Sequence, residues 1–197
     1  MPVVRTIRTI NNIEKKIIND EIYKNWRLYL DQLLRNHVYV VLNHIYFVDV
    51  YAVDKSTIPL IRDLKSKELI RYLAYLGFFI GRIKTKYRRI SFTPSLELGH
   101  IAGINAKRNL VKVTDEGEKL FLYGRDLFTK SIVDAHLPLL KNHYIIVINK
   151  NNEYVGLGIA LRNILSLYDL NKLKITDPEL VLIKNYIDLG WYLRKGG

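Results

Sequence analysis

Between Ile10 and Leu33 the apolar residues Ile10, Ile13, Ile17, Ile18, Ile22, Trp26, Tyr29 and Leu33 fall mostly three or four positions apart. This spacing predicts a long helix with one buried stripe, or two helices with a break near Asn19. Asn11 with Glu14, and Asn19 or Asp20 ahead of Ile22, supply N-cap chemistry, because short polar side chains accept from the free amides of a first turn. The rhythm then changes. HVYVVL and IYFVDV are β-branched and aromatic runs split by Asn43 and His44, which predicts a hairpin with a short polar turn. Ser56 to Leu64 returns to helical spacing, with Pro59 in the tolerant first turn. Leu69 to Leu76 fits helix and strand equally. FFIGRIK and RRISFTP predict two more strands around a turn at Thr85, Lys86 and Tyr87, with Gly81 marking a bulge or a close backbone approach.

The small residues of GHIAGINA, positions 99 to 106, separate this α/β region from the second half of the chain and place a domain boundary near Ile104. Beyond it the pattern predicts a strand around Leu110 to Val113 and a short helix from Asp115 that stops before Gly124. The segment Asp126 to Ser131 comes next, then the strand YIIVIN, an Asn-rich turn at Asn149 to Asn152, and the strand YVGLGIAL. ELVLIKN and GWYLR read as two closing strands. Short strands at close spacing, with one helix between the first two, predict a small mixed barrel.

Charge changes the picture. Thirty-one Lys and Arg against nineteen Asp and Glu leave a formal charge of +12, and the surrounding field favours a polyanion, with nucleic acid first and an anionic membrane surface second. No cysteine is present, which excludes disulfides, thiolate zinc sites and a cysteine nucleophile. MPVVRTIRTINN lacks the apolar core of a secretory signal, so an intracellular protein is expected. The apolar stretch Tyr72 to Ile83 is broken by Gly77, Gly81 and Arg82, is too short to span a bilayer, and reads as buried core.

Candidate chemistry is sparse. Arg82, Lys84, Lys86 and Arg88 alternate, so an extended segment presents them on one face opposite Ile83 and Tyr87. Such a basic hairpin tracks a phosphate backbone or, equally, guards a solvated sheet edge. Gly156 and Gly158 are not a dinucleotide loop, because Leu161 stands where the third glycine belongs; they mark close packing inside the barrel. His37, His44, His100, His136 and His143 have no metal-ligand spacing. Neither a G-x-S-x-G elbow nor a P-loop appears, so hydrolysis and phosphoryl transfer have no anchor. Among fourteen tyrosines some are candidates for base stacking, and most belong to core or strands.

VKVTDEGEKLFLYGRDLFTKSIV, then YIIVINKNNEYVGLGIAL, then DLGWYLRKGG closely resemble a PUA domain over about residues 106 to 195. FLYG at Phe121 to Gly124, Asp177-Pro178, and DLGWYLR at Asp188 to Arg194 resemble most the Nip-seven family of large-ribosomal-subunit biogenesis factors. LNHIYFV, LGFFIGRIKT and RISFTPSLELGHIA resemble that family's N-terminal domain. The resemblance implies an α+β protein: an N-terminal α/β domain with an antiparallel sheet and helices over residues 1–103, then a PUA-type mixed β-barrel over 104–197. It implies pre-rRNA or other single-stranded RNA as ligand, ribosome-assembly or RNA-processing proteins as partners, and a monomer. Catalysis, cofactor and metal are not implied. Arg162, Lys172 and Lys174 lie where the family's RNA-facing cations are expected, and Arg125 and Lys130, flanking the Gly124 turn, reach toward the same groove. With Arg82 and Lys84 of the basic alternation they form the candidate RNA contacts. Cytoplasmic location is expected for an archaeal protein, nuclear or nucleolar for a eukaryotic one. The rivals are a PUA-containing RNA-modification enzyme or accessory subunit, of the pseudouridine synthase or methyltransferase type, and a protein-interaction adaptor. About 100 N-terminal residues are too few for either catalytic domain.

Overall fold

The computed structural model describes residues 6–66, 76–86 and 89–195. By contacts the chain divides into two compact units, residues 1–22 with 29–98, and residues 23–28 with 99–197.

In the first unit the period-two segments form a five-stranded antiparallel meander in the order β1-β2-β3-β4-β5, with β1 Thr6–Thr9, β2 His37–Asn43, β3 Phe47–Asp54, β4 Phe78–Lys86 and β5 Arg89–Pro94. The central positions of β2 and β3 are buried on both faces. Val40, Leu42, Tyr51 and Val53 share one face with Ile7 and with Ile61 of α3 (Ile58–Ser66). The opposite face holds Tyr39, whose hydroxyl donates to the Leu30 and Leu34 carbonyls at 3.2 Å each, at the two ends of helix α2 (Leu30–Leu33). Burial pushes the Tyr39 phenol above its ordinary value. Gly81 sits at φ +152, and a Cβ there would lie 2.6 Å from the Phe92 ring, so the bulge opposite Val50 and Tyr51 requires glycine. Strand β1, which helical spacing hid, pairs along β2. Thr85 and Lys86 continue β4 and do not belong to the turn. Tyr87, Arg88 and the ambiguous segment up to residue 75 lie outside the described residues.

Helix α1 (Asn12–Trp26) starts where its cap predicts. Asn11 Oδ1 accepts from the Glu14 amide at 2.8 Å and Glu14 Oε2 accepts from the Asn11 amide at 3.0 Å, a reciprocal box. Arg8 adds two charge-assisted bonds to the same carboxylate, at 2.7 and 2.6 Å. The break falls at Arg27 (φ 60), not near Asn19. Asn19 lies inside α1 and does not cap a helix of its own; its Oδ1 accepts from the Leu30 amide at 2.8 Å, at the first residue of α2. The end of α1, which belongs to the second unit, is set there by residues distant in sequence. Asn109 Nδ2 donates to Asn25 O at 2.6 Å, the Lys107 amide donates to Trp26 O at 3.3 Å, and the Arg108 guanidinium donates to Lys24 O. Burial lowers the pKa of Arg108, and the neighbouring charge of Arg27 lowers it further.

The second unit is a six-stranded mixed sheet in the order β7-β11-β10-β9-β6-β8, curled into a half-barrel. Its strands are β6 Leu110–Val113, β7 Leu127–Phe128, β8 Ile132–His136, β9 Tyr144–Ile148, β10 Tyr154–Ala160 and β11 Val181–Asp188. Among the described residues only β6 and β9 run parallel. Helix α4 (Leu96–Gly103) precedes the sheet in sequence, and α5 (Asp115–Leu122), capped by Thr114 at the Gly117 amide, lies between β6 and β7. The core joins Val111, Phe121, Leu127, Ile145, Val147 and Ile183, all essentially solvent-free. A Cβ on Gly156 would meet Ile187 O at 2.5 Å and the Phe121 ring at 3.0 Å, so the predicted close packing is what the glycine provides.

GWYLR is not a strand. Residues Trp191–Lys195 form helix α7, because Arg194 is drawn back to the buried Asp188 carboxylate through paired bonds of 2.9 and 2.8 Å and also donates to Leu122 O. Arg194→Ala leaves that carboxylate unpaired, and a loss of about 3 kcal/mol in urea unfolding is expected. The Glu14 carboxyl carries a pH signature. Burial raises its pKa, but the bonds from Arg8 and the Asn11 amide outweigh this and hold it below its ordinary value of 4.5. Its contribution is therefore complete above that value and is lost as pH falls through the folded pKa. Glu14→Gln should cost up to about 1 kcal/mol at neutral pH and remove the loss of stability that the wild-type carboxyl shows as pH falls below its ordinary value of 4.5.

Candidate nucleic-acid interface

Two further elements of the second unit, both outside the sequence pattern, shape its surface. Strand β8 pairs with β6 at the sheet edge. Helix α6 (Leu167–Thr176) comes after β10 and starts at a reciprocal cap between Ser166 and Asp169, bonded at 3.2 and 3.1 Å. Leu170 anchors it with 1 % exposure and Leu173 packs against the same core.

Where β10 runs out, an open groove of about 640 Å³ lies between Leu161, Arg162 and Asn163, Leu173 of α6, Val181 of β11, and Lys141. Asn163 Oδ1 accepts from the Lys141 amide at 2.8 Å, which fixes the two rims together. Arg162 and Lys141 are both exposed. Among the described residues no carboxylate lies within ion-pair distance of either. Two cations from separate segments therefore face an open trough with polar and apolar walls, an arrangement that suits an extended anionic chain.

Arg162 stands on the groove itself. Lys172 and Lys174 flank Leu173 on α6, and residues two apart on a helix point to different sides. Lys172 is exposed, whereas Lys174 is half-buried and donates to Val133 O at 3.4 Å. Lys130 lies beside the end of α6, its amide on Pro178 O at 3.1 Å and its ammonium paired with Glu179. Arg125 is exposed just after the Gly124 turn, its amide on Leu120 O at 3.0 Å. In the first unit Ile83 is buried and Lys84 exposed, as alternation predicts. Arg82, however, is held by Asp49 through bonds of 2.5 and 2.9 Å, with its guanidinium 3.7 Å over the Phe47 ring; His44 Nε2 lies 3.2 Å from the same carboxylate.

Sequence reasoning missed Lys141, Asn163 and Tyr168. Tyr168 is 73 % exposed and shares the outer face of α6 with Lys172, four residues on. The Ser166-x-x-Asp169 cap ahead of LYDLNKLK is the signal in the sequence that marks this helix. Among the described residues no group of three or more His, Cys, Asp and Glu is arranged to hold a metal ion.

The UPF0113 PUA domain profile matches residues 109–197. A UPF0113 protein of Archaeoglobus fulgidus is 31% identical over 146 residues, covering 74% of this chain and 72% of that protein. The fold is shared with a conserved PUA-domain protein of Thermoplasma acidophilum (TM-score 0.57, 16% identity, 95% of this chain and 97% of that one). It is also shared with a PUA-domain structure of Aeropyrum pernix solved as a tartrate complex (TM-score 0.58, 12% identity, 98% and 95%). With the profile on the half-barrel and the Archaeoglobus relative spanning most of both chains, this protein belongs to the UPF0113 family of PUA-domain proteins.

Proposed function

We infer that this protein binds RNA without modifying it, through the groove that Arg162 and Lys141 flank beside α6. The observation that carries this reading is the meeting of cations from separate segments on an open trough of a PUA half-barrel, in a chain of net charge +12. Phosphate contacts supply affinity by releasing counterions, and an open trough leaves the bases of a single strand accessible to neighbouring side chains. Lys172 and Lys174 of α6 extend the same positive field. The resemblance of both halves to the Nip-seven family supports a finer role: a monomeric assembly adaptor of the large ribosomal subunit, binding pre-rRNA and ribosome-assembly proteins, in the cytoplasm of an archaeal cell or the nucleus or nucleolus of a eukaryotic one. Filter binding at several salt concentrations tests the site. Replacing Arg162, Lys172 and Lys174 together by Ala should lower affinity roughly ten-fold or more beyond the loss from replacing the exposed Lys16, Lys55 and Arg62 of the first unit. The salt slope should fall by about two, at roughly 0.7 per single-strand contact. Equal losses would move the site off the half-barrel. RNA recovered after incubation, with and without S-adenosylmethionine, should be unchanged by mass spectrometry; new methyl groups or uridine isomers would replace the binding reading with an enzymatic one. RNA crosslinked to the protein in cells should be dominated by large-subunit rRNA precursor, and a predominance of other RNA would remove the ribosomal role.

A further inference from the structure

The opposite end of β10 borders a second and larger cavity. A cleft of about 680 Å³ lies against β6, β8 and the β9–β10 turn, within the size range of small-molecule sites. Ile104, Leu110, Ile148 and Leu189 make it largely apolar. At one wall the His100 ring stacks on Tyr154, with centroids 5.2 Å apart and an interplanar angle of 21°. His100 is exposed, so its outer face is a flat aromatic platform with no ring on it among the described residues.

The polar groups around this platform are mixed in kind. Asp134 spends Oδ1 on the Ala135 amide at 2.8 Å, and Glu153 spends Oε2 on Asn149 Nδ2 at 2.7 Å. Each keeps a second oxygen with no donor among the described residues. His136 Nδ1 lies 3.1 Å from Ala106 O, the geometry of a ring N–H donating to that carbonyl. Lys112 adds a donor. Two carboxylates repel a phosphate but accept from amino and ring N–H groups, while a lysine donates to a ring nitrogen or carbonyl. A flat platform, apolar walls and both kinds of hydrogen-bonding group match one chemical class.

We propose that this cleft binds a nucleobase, which stacks on His100 and is read by Asp134, Glu153 and Lys112. The base comes either from a free nucleoside or from an unpaired residue of bound RNA. The RNA source rests on the RNA-binding reading above; the nucleoside source does not.

The two sources separate in one set of titrations. Free adenosine, guanosine, cytidine and uridine are titrated while amide shifts of residues 134–136 and 152–154 are monitored by NMR. A single-stranded RNA oligomer and the same oligomer made abasic are titrated in parallel. If RNA supplies the base, the intact oligomer binds roughly ten-fold or more tightly than the abasic one, in line with stacking of one base. His100→Ala should collapse that ratio toward one with an unchanged circular dichroism spectrum. Asp134→Asn gives an opposing-sign control. Removing a negative charge tightens RNA binding if only bulk charge acts, whereas base readout requires the intact-to-abasic ratio to fall. Nucleoside-induced shifts at the cleft that vanish in His100→Ala support the free source, even if neither oligomer binds and the RNA reading fails. The proposal is overturned if no nucleoside shifts these amides and the two oligomers bind equally. It is also overturned if His100→Ala, shown folded, leaves both effects intact.

Discussion

A carboxylate with no solvent exposure sits at the end of β11, and much of the second unit is arranged around the need to neutralise it. Asp188 is 0% exposed, and isolating such a charge from water costs several kcal/mol unless it is paired and hydrogen-bonded. Arg194 supplies a two-bond clasp and Asn185 Nδ2 adds a third bond at 3.1 Å. The same Asn185 side chain donates to Phe121 O at 2.8 Å, and Arg194 donates to Leu122 O, so the end of α5 is tied to the same charge. With α5 fixed, the Phe121 ring lies against β10 at Gly156, where a Cβ would come within 3.0 Å of it, while Gly158 lets the strand pass the Ile183 side chain of β11. The path of β10 therefore depends on the pairing of Asp188. Both the groove and the cleft are built on the two ends of that strand.

The excess positive charge is distributed unevenly. Arg8, Arg82, Lys130, Lys150 and Arg194 each face a carboxylate within ion-pair distance, and their charges serve packing and local order first. Arg162, Lys141 and Lys172 have no such carboxylate among the described residues. For association with a polyanion the unmatched cations weigh most, because a contact that must first break a protein ion pair returns less free energy. Arg82 illustrates the difference. Its alternation with Lys84 is what a phosphate-tracking strand shows, yet in the fold its guanidinium is saturated by Asp49 and covers Phe47.

Elements whose stabilising partners are close in sequence are legible there: the β2–β3 and β4–β5 hairpins, the Asn11–Glu14 box, and α5 between Thr114 and Gly124. Those decided by distant partners are not. The end of α1 depends on Arg108 and Asn109, more than eighty residues away. Trp191–Lys195 carries the aromatic and aliphatic residues of a strand and becomes helical because Arg194 must return to Asp188. Strand β1 runs directly into the helix stripe at Ile10, and the short run of alternation is lost beside the longer pattern. At the candidate site residue types are readable and their grouping is not. Arg162 is marked by its place after the glycine pair, but Lys141 joins it only because β10 and the preceding loop fold back together, and Lys172 and Lys174 diverge once α6 forms as a helix. The cleft has no sequence signature, since His100, Lys112, Asp134 and Glu153 come from four separate segments.

The two features differ in the kind of recognition they offer. The groove is open and flanked by unmatched cations, which suits contact with phosphate that is largely indifferent to sequence. The cleft is bordered by two carboxylates and a stacking platform, which disfavour backbone and favour a base. The cleft takes in Tyr154 at the start of β10 and the groove begins at Leu161, just past its end, and they share no lining residue. Tyr154 and Arg162 are eight positions apart, a span of up to about 26 Å if the strand runs straight, so a single strand occupying both must be several nucleotides long. A short oligomer held only at the groove gains affinity without selectivity, whereas one long enough to reach the cleft gains a base contact whose strength depends on which base is presented. On the RNA-binding reading proposed above, strand length, more than net charge, would then determine how selectively the half-barrel chooses among RNAs.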